Sequence, residues 1–223
     1  MLKMKFLAGV ALALGLSSNA SAAITVFTDQ ASFLAAISAP ATDTFQGLSI
    51  VGATDSPITR SAGAYSYRAA VSTTSFFGAG TSANPWLSTN TATDTIAFSN
   101  FTGGVYGLGG NFFGSDLGGA FASGGVILTA TDADGSISQS ILNATTSSFL
   151  GFVSTSGLTG VTLAAVQPGG NSVLWPTADN LTLGGQAVSA VPEPATWAMM
   201  IIGFGAVGSM VRTSRRRSAA LAA

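Results

Sequence analysis

Apolar residues in this chain recur in short bursts, each closed by Gly, Ser, Asn or Asp, and the bursts follow one another at intervals of about 8–12 residues. Within them the pattern tends to alternate rather than to repeat every 3.6 positions, which is the signature of half-buried strands. Strands are predicted at 24–27, 43–45, 64–71, 95–98, 105–113, 125–131, 136–142, 149–153, 158–166 and 180–183. One helix interrupts the series. Thr28 offers an N-cap for Asp29–Ile37, where Phe33, Leu34 and Ile37 share a face. The clearest hairpin is 126–131, the turn Asp132-Ala133-Asp134-Gly135, then 136–141, since Asp-Gly supplies the backbone such turns need. The expected fold is mainly β, a β-sandwich or jelly-roll-like domain over 23–183 with one short N-terminal helix. It carries no exact repeat, and 184–190 reads as a linker.

The two ends have patterns of their own. Lys3 and Lys5, the apolar run Phe6–Leu16 and the small residues Ala20-Ser21-Ala22 read as a signal peptide over 1–22, with Ala20 and Ala22 presented to signal peptidase. From Val191 the composition changes to Val191-Pro192-Glu193-Pro194, then Trp197-Ala198, an uncharged run to Val211, and Arg212, Arg215, Arg216 and Arg217. The prolines hold the backbone extended, so a helix can begin only after them. Trp197 to Val211 is 15 residues, about 22 Å of helix. That is short of a hydrocarbon core of about 30 Å, but an interfacial Trp and long arginine stems extend its reach. A transmembrane helix over about 197–211 is therefore expected, with lipid as a partner and the arginines held on the cytoplasmic side.

Pro192-Glu193-Pro194, Trp197-Ala198, the 199–208 stretch and Arg215–Arg217 together resemble the PEP-CTERM sorting signal in its PEPxxWA form, over about 191–217. The same tail is also labelled the C-terminal domain of ice-binding proteins. The resemblance implies recognition by an exosortase, a membrane-embedded sorting enzyme that cuts near Pro-Glu-Pro and passes the ectodomain towards the cell surface, often beside exopolysaccharide. Pro192, Glu193 and Pro194 would then be substrate determinants. A terminal extension, 218–223, departs from the usual pattern. Gly203-x-Gly205-x-x-Gly208 matches the dinucleotide fingerprint by letters alone, because it follows no strand and opens no βαβ unit.

Composition narrows what the middle of the chain can do. There is no Cys and no His, which removes thiol and imidazole nucleophiles, disulfides, iron–sulfur clusters and imidazole-bound zinc. Between residues 23 and 190 the charges are Arg60 and Arg68 against eight aspartates, a net −6, so nucleic acid is not an expected partner. Catalysis is not expected. The alternative is an envelope glycan hydrolase built on an Asp pair, and a further one is a permanently anchored single-pass protein.

Two sets of side chains remain as candidates. Oxygen ligands suit Ca²⁺. Asp179-Asn180 before the 181–183 strand looks like the last strand of carbohydrate-binding jelly rolls, where an Asp helps to hold a structural Ca²⁺, with Asp43 approaching from an early strand. An Asx turn is the ordinary reading of the same residues. Tyr65, Tyr67, Trp86 and Trp175 are candidates for stacking on sugar rings, although burial in a sandwich core is the usual fate of such residues. Tyr65 and Tyr67 share one strand face, while Trp86 and Trp175, each beside a Pro, are expected in or near loops. No Thr-x-Thr ladder of the kind ice binding needs is present. The expectation is an exported envelope or matrix protein, its ectodomain structural or carbohydrate-associating.

Overall fold

The computed structural model describes residues 24–170, 172–187 and 194–220. In chain order the elements are β1 (Ile24–Phe27), α1 (Gln30–Ala35), β2 (Ile37–Asp43), β3 (Ala53–Thr54), β4 (Ile58–Ala62), β5 (Tyr65–Val71), β6 (Phe76–Gly80), β7 (Pro85–Thr89) and β8 (Ile96–Thr102). They continue with β9 (Gly107–Ser115), β10 (Phe121–Ala122), β11 (Gly124–Asp132), β12 (Ser136–Ala144), β13 (Phe149–Ser154), β14 (Leu158–Val166), β15 (Trp175–Gln186) and α2 (Pro194–Ala220). The chain divides into two compact units after Gln186. The signal peptide at 1–22, and with it Ala20 and Ala22, lies outside the described residues, as do Pro192 and Glu193.

A nine-stranded sheet runs β1-β13-β9-β15-β7-β6-β3, with β10 added to β9 and β2 to β15, and a six-stranded sheet runs β12-β11-β14-β8-β5-β4. Side chains from both sheets meet in one core, with Phe76, Leu87, Leu108, Phe112 and Phe152 from the first and Tyr67, Phe98, Leu128, Val161 and Leu163 from the second. That is the two-layer arrangement expected when alternating strands bury one face each. The mainly β class is therefore met. β14 spans the predicted residues without change, and the 126–141 hairpin forms as expected, with the Asp132 amide donating to the Gly135 carbonyl at 3.0 Å.

The helix needs a correction. Asp29, not Thr28, is the cap: its Oδ1 accepts the Ser32 amide at 2.8 Å and the Ser32 hydroxyl at 2.9 Å. The helix also stops at Ala35, because Ile37 is already paired with Gln186 as the first residue of β2. What holds so short a helix is a single anchor. Phe33 is fully buried, its ring 6.1 Å from that of Phe27 and 5.5 Å from that of Phe149. It lies over Gly109 and Gly151, where an added Cβ would meet the Phe33 ring at 3.1 and 2.6 Å. The glycines of β9 and β13 thus leave the slot that the ring fills.

Other strands differ from expectation for local reasons. The predicted 43–45 strand lies earlier, as β2, and ends at Asp43. β3, β4, β6, β7 and β10 were not expected: they are short, and Gly78, Gly80 and Pro85 carry turn signals. β15 begins five residues before 180 and runs to Gln186, past the expected 184 boundary. It passes through Asn180 in the left-handed region (φ 51°) as a register shift rather than an end. Trp86 and Trp175 sit at the starts of β7 and β15, each beside the loop that precedes its strand.

In the second unit a helix starts at Pro194, a residue suited to the first helical position because it has no amide hydrogen to leave unpaired. The expected transmembrane helix at about 197–211 is corrected here: no helix among the described residues is long and apolar enough to cross a membrane. Gly203, Gly205, Gly208 and Ser209 dilute the apolar run, and Arg212 follows directly. The side chains of Met199, Ile201, Phe204 and Met210 on this helix are exposed.

Candidate functional site

Asp43 and Asp179 are both buried, on neighbouring strands, yet they have different partners. Asp43, at the end of β2, faces Arg60 of β4. Arg60 Nε donates to Oδ2 at 2.6 Å and an Nη to Oδ1 at 2.7 Å, a two-pronged pair. The Tyr67 hydroxyl adds a third bond to Oδ2 at 2.7 Å, and the Phe45 amide a fourth to Oδ1 at 2.8 Å. Burial opposes ionisation of this carboxyl, but the bonds from Arg60 and Tyr67 and the Arg60 charge outweigh it and hold Asp43 below the usual carboxylate range. Burial and the neighbouring carboxylate push the Tyr67 phenol strongly up. Every carboxylate oxygen of Asp43 is thus engaged by a cation or a donor, so Asp43 serves as a counter-ion inside the sandwich. Arg60, which no sequence pattern singled out, is its essential partner.

Tyr67 is 1% exposed and Tyr65, whose hydroxyl donates to the Ala39 carbonyl at 3.1 Å, is 6% exposed. They share a face as predicted, and that face is the core, so neither ring is presented to a ligand.

Asp179 lies on the outer face of the nine-stranded sheet. The Thr177 hydroxyl meets the Ser88 and Ser115 hydroxyls at 3.1 and 2.8 Å, which puts Thr177 and Asp179 of β15, Trp86 and Ser88 of β7, and Phe113 and Ser115 of β9 on one side. The two tryptophans and Asp179 are brought to one face. Trp86 stands edge-on to Phe113 at 4.9 Å, and Phe121 of β10 contacts Phe113 at 6.1 Å. Phe113 is therefore buried although it points away from the core that Phe112 fills. The Trp86 indole N–H is also buried and finds no acceptor among the described residues.

Around Asp179 the partners are amides. Asn180 donates from its backbone to Oδ1 at 2.8 Å and from its side chain to Oδ2 at 3.0 Å, and Asn84 donates to Oδ2 at 3.4 Å. The Asn180 amide also points to Asn111 Oδ1 at 3.4 Å. With no cation beside it, burial dominates over the Asn84 and Asn180 bonds and pushes the Asp179 carboxyl up. A carboxyl raised in the folded state binds more protons there than in the unfolded chain, so its contribution is largest at low pH and falls as pH rises through the folded value. Urea titrations above about pH 4 will show the stability difference between the protein and Asp179→Asn changing with pH, the variant lacking that decline. Equal slopes would show that Asp179 ionises as freely as in an unfolded chain.

Asn111 connects this cluster to a surface cleft of about 670 Å³, walled also by Thr28, Gln30, Ser147, Ser148 and Phe149. Asp29 also lines it, so the wall combines hydroxyls and amides with one carboxylate beside an aromatic ring, groups that suit a hydroxyl-rich ligand. Neither Asn84 nor Asn111 belonged to a recognisable motif, and the pairing of β15 with β7 and β9 brings each of them to Asp179 and Asn180.

The remaining buried aspartates are dispersed. Asp94 accepts the hydroxyls of Ser72 and Thr74 at 3.0 and 2.6 Å, and Asp132 accepts that of Ser154 at 2.7 Å. Among the described residues no group of three or more His, Cys, Asp or Glu is placed to hold a metal ion.

The tail supplies the decisive likeness. Residues 190–217 match the family model of the PEP-CTERM protein-sorting motif. This chain carries a PEP-CTERM sorting motif. The match takes in Pro192, Glu193, Pro194, Trp197, Ala198 and all four C-terminal arginines. The motif implies export, processing by an exosortase-type enzyme and sorting towards the cell surface. No curated protein and no solved structure matches the chain at a significant level.

Proposed function

We propose that this PEP-CTERM chain is a non-enzymatic envelope or matrix protein whose sandwich is delivered by cleavage near Pro192-Glu193-Pro194. Signal peptidase acts first, after Ala22, and the sorting enzyme then removes α2. The motif match at 190–217 carries the reading. The exposed apolar side chains of α2, between Met199 and Met210, are the surface on which lipid retains the chain until it is cut. Mass spectrometry of the mature form tests this directly. The native chain is expected to end near residue 192, and Pro192→Ala with Pro194→Ala to keep the tail. A native chain that retains residues 194–217 supports the permanently anchored alternative instead.

For the ectodomain we favour a structural or carbohydrate-associating role, exopolysaccharide being the polymer at hand. The cleft beside Asn111 and Phe149 supports it, because it offers hydroxyl, amide and carboxylate groups next to an aromatic ring. Against the hydrolase reading stand the separate partners of Asp43, Asp94, Asp132 and Asp179. Neither candidate for a structural Ca²⁺ gains support, since Arg60 neutralises Asp43 and the Asp179 carboxylate accepts from Asn84 and Asn180.

A further inference from the structure

We infer that the seam between β1 and β12 binds a linear amino-sugar polymer, one whose unsubstituted amines are protonated at neutral pH, and that it rejects acidic polysaccharide. The inference rests on the carbohydrate-associating reading of the ectodomain and narrows it to one class of glycan. Two clefts lie along this seam. The larger is the cleft of about 670 Å³ at the end formed by Thr28, Asp29 and Gln30 with Ser140, Ile141 and Leu142. A second, of about 250 Å³, lies at the other end, between Ile24 of β1 and Asp134, Gly135, Ser136 and Ile137 of the hairpin. From Ser136 to Leu142 the strand advances about 20 Å. A ligand that reaches both clefts is therefore an extended chain.

Each cleft holds an exposed carboxylate and neither holds a cation. Asp29 lines the first and Asp134 the second. Among the described residues no Lys or Arg lines either wall. The Ser32 amide and hydroxyl both donate to Asp29 and hold its carboxyl below the usual range, so it is ionised at neutral pH. Asp132, also at the second cleft, is taken up by the hairpin: its Oδ1 accepts the Asp134 and Gly135 amides at 2.9 and 3.1 Å, and its Oδ2 the Ser154 hydroxyl. The cations of the domain are elsewhere. Arg60 is committed to Asp43, and Arg68 lies on β5, four strands from β12 in the same sheet, about 19 Å away. That is more than twice a screening length of about 8 Å. With a net −6 over residues 23–190 behind them, the two clefts attract cations and repel chains that carry carboxylates.

Charge does not choose the ligand by itself. Thr28, Gln30, Asn111, Ser147 and Ser148 in the first cleft, and Ser136 in the second, offer hydroxyls and amides that pair with ring hydroxyls. Phe149 supplies one half-buried ring, so stacking contributes at a single point. An amino sugar carries both complements, an ammonium for the carboxylate and hydroxyls for the neutral side chains. One exposed ion pair is weak. Binding therefore depends on a chain long enough to occupy both clefts at once.

Calorimetric titration of the full-length protein compares a glucosamine hexamer with an N-acetylglucosamine hexamer, which has the same backbone without the charge, a galacturonate hexamer and hexalysine. The glucosamine hexamer is expected to bind about tenfold more tightly than the others and to weaken as salt is raised. A glucosamine dimer, too short to span the seam, should bind poorly. Asp29→Asn keeps the helix cap, since Asn caps as well as Asp, so it removes charge and spares the fold. Its affinity for the glucosamine hexamer should fall about two- to fivefold with the melting temperature unchanged. Asp29→Asn with Asp134→Asn should erase the preference over the N-acetylated hexamer, while Asp55→Asn, an exposed acid just before β4 at the far edge of the sheet, should change nothing. Equal or tighter binding of the N-acetylated or galacturonate hexamer, or an equal loss from Asp55→Asn, overturns the inference and leaves the carbohydrate-associating reading in place. Hexalysine bound as tightly as the sugar overturns it too, because charge would then suffice. Failure of all three sugars to bind overturns both.

Discussion

Arg60→Ala is expected to destabilise the sandwich by about 3–5 kcal/mol, the cost of stranding a buried charge. The Asp43 side chain is 5% exposed and loses two bonds and its counter-ion at once. Solvation replaces them poorly at that depth, and the Tyr67 hydroxyl and Phe45 amide are neutral donors only. Arg60 also packs over the Phe45 ring, 5.3 Å from its centroid, so the substitution removes a cation–π contact as well. Equilibrium unfolding in urea measures the loss. The double variant Asp43→Ala/Arg60→Ala should be destabilised less than the sum of its two single changes, because no orphan charge remains. The pair has a pH signature opposite to that of Asp179. The folded pKa of Asp43 is lowered, so its stabilisation is present above the unfolded value of about 3.9 and disappears as pH falls through the lower folded value. Additive single changes, or no acid sensitivity, would mean that the pair contributes nothing.

Phe33→Ala should cost a similar amount, about 3–5 kcal/mol for a fully buried phenylalanine. The ring is the side chain that α1 buries, and a six-residue helix has almost no stability of its own. Its removal empties the slot over Gly109 and Gly151 and strips ring contacts from Phe27 and Phe149. Hydrogen exchange should show the loss first in α1, β1 and β13, with the β11–β12 hairpin protected as before. The complementary change, Gly151→Ala, drives a methyl to within 2.6 Å of the Phe33 ring and should destabilise the same region by crowding. Uniform loss of protection across both sheets would show that Phe33 belongs to the central core rather than to this outer layer.

The two predictions probe features of unequal visibility in the sequence. Phe33 stands out as an apolar residue on a short helical face, and its burial follows from that alone. The glycines that receive it are far along the chain, and a glycine's lack of a side chain says nothing about which ring will use the space. Asp43 was legible as an unusual acid near an aromatic residue, but calcium and arginine are equivalent answers to a buried carboxylate until the strands are paired. β4 then puts Arg60 opposite Tyr67, and the choice is made. Asp179-Asn180 looked like the start of a strand because Asn and Pro176 read as turn residues. Asn tolerates the left-handed backbone, so β15 continues through the position with a bulge, and the carboxyl is turned towards Asn84 of the β6–β7 turn.

By itself the sequence determined the properties that depend on local order. Alternating apolar positions set the mainly β class and strands such as β14, and a contiguous tail of Pro-Glu-Pro, Trp-Ala, apolar run and arginines set the sorting motif at 190–217. Such signals are read along the chain and need no partner strand. Tertiary structure alone decided which aspartate meets a cation and which tyrosines face inward. Those outcomes depend on residues such as Asp43 and Arg60, or Asn84 and Asp179, that are neighbours only once the sheets have formed, and no spacing in the chain encodes a distance across a sheet.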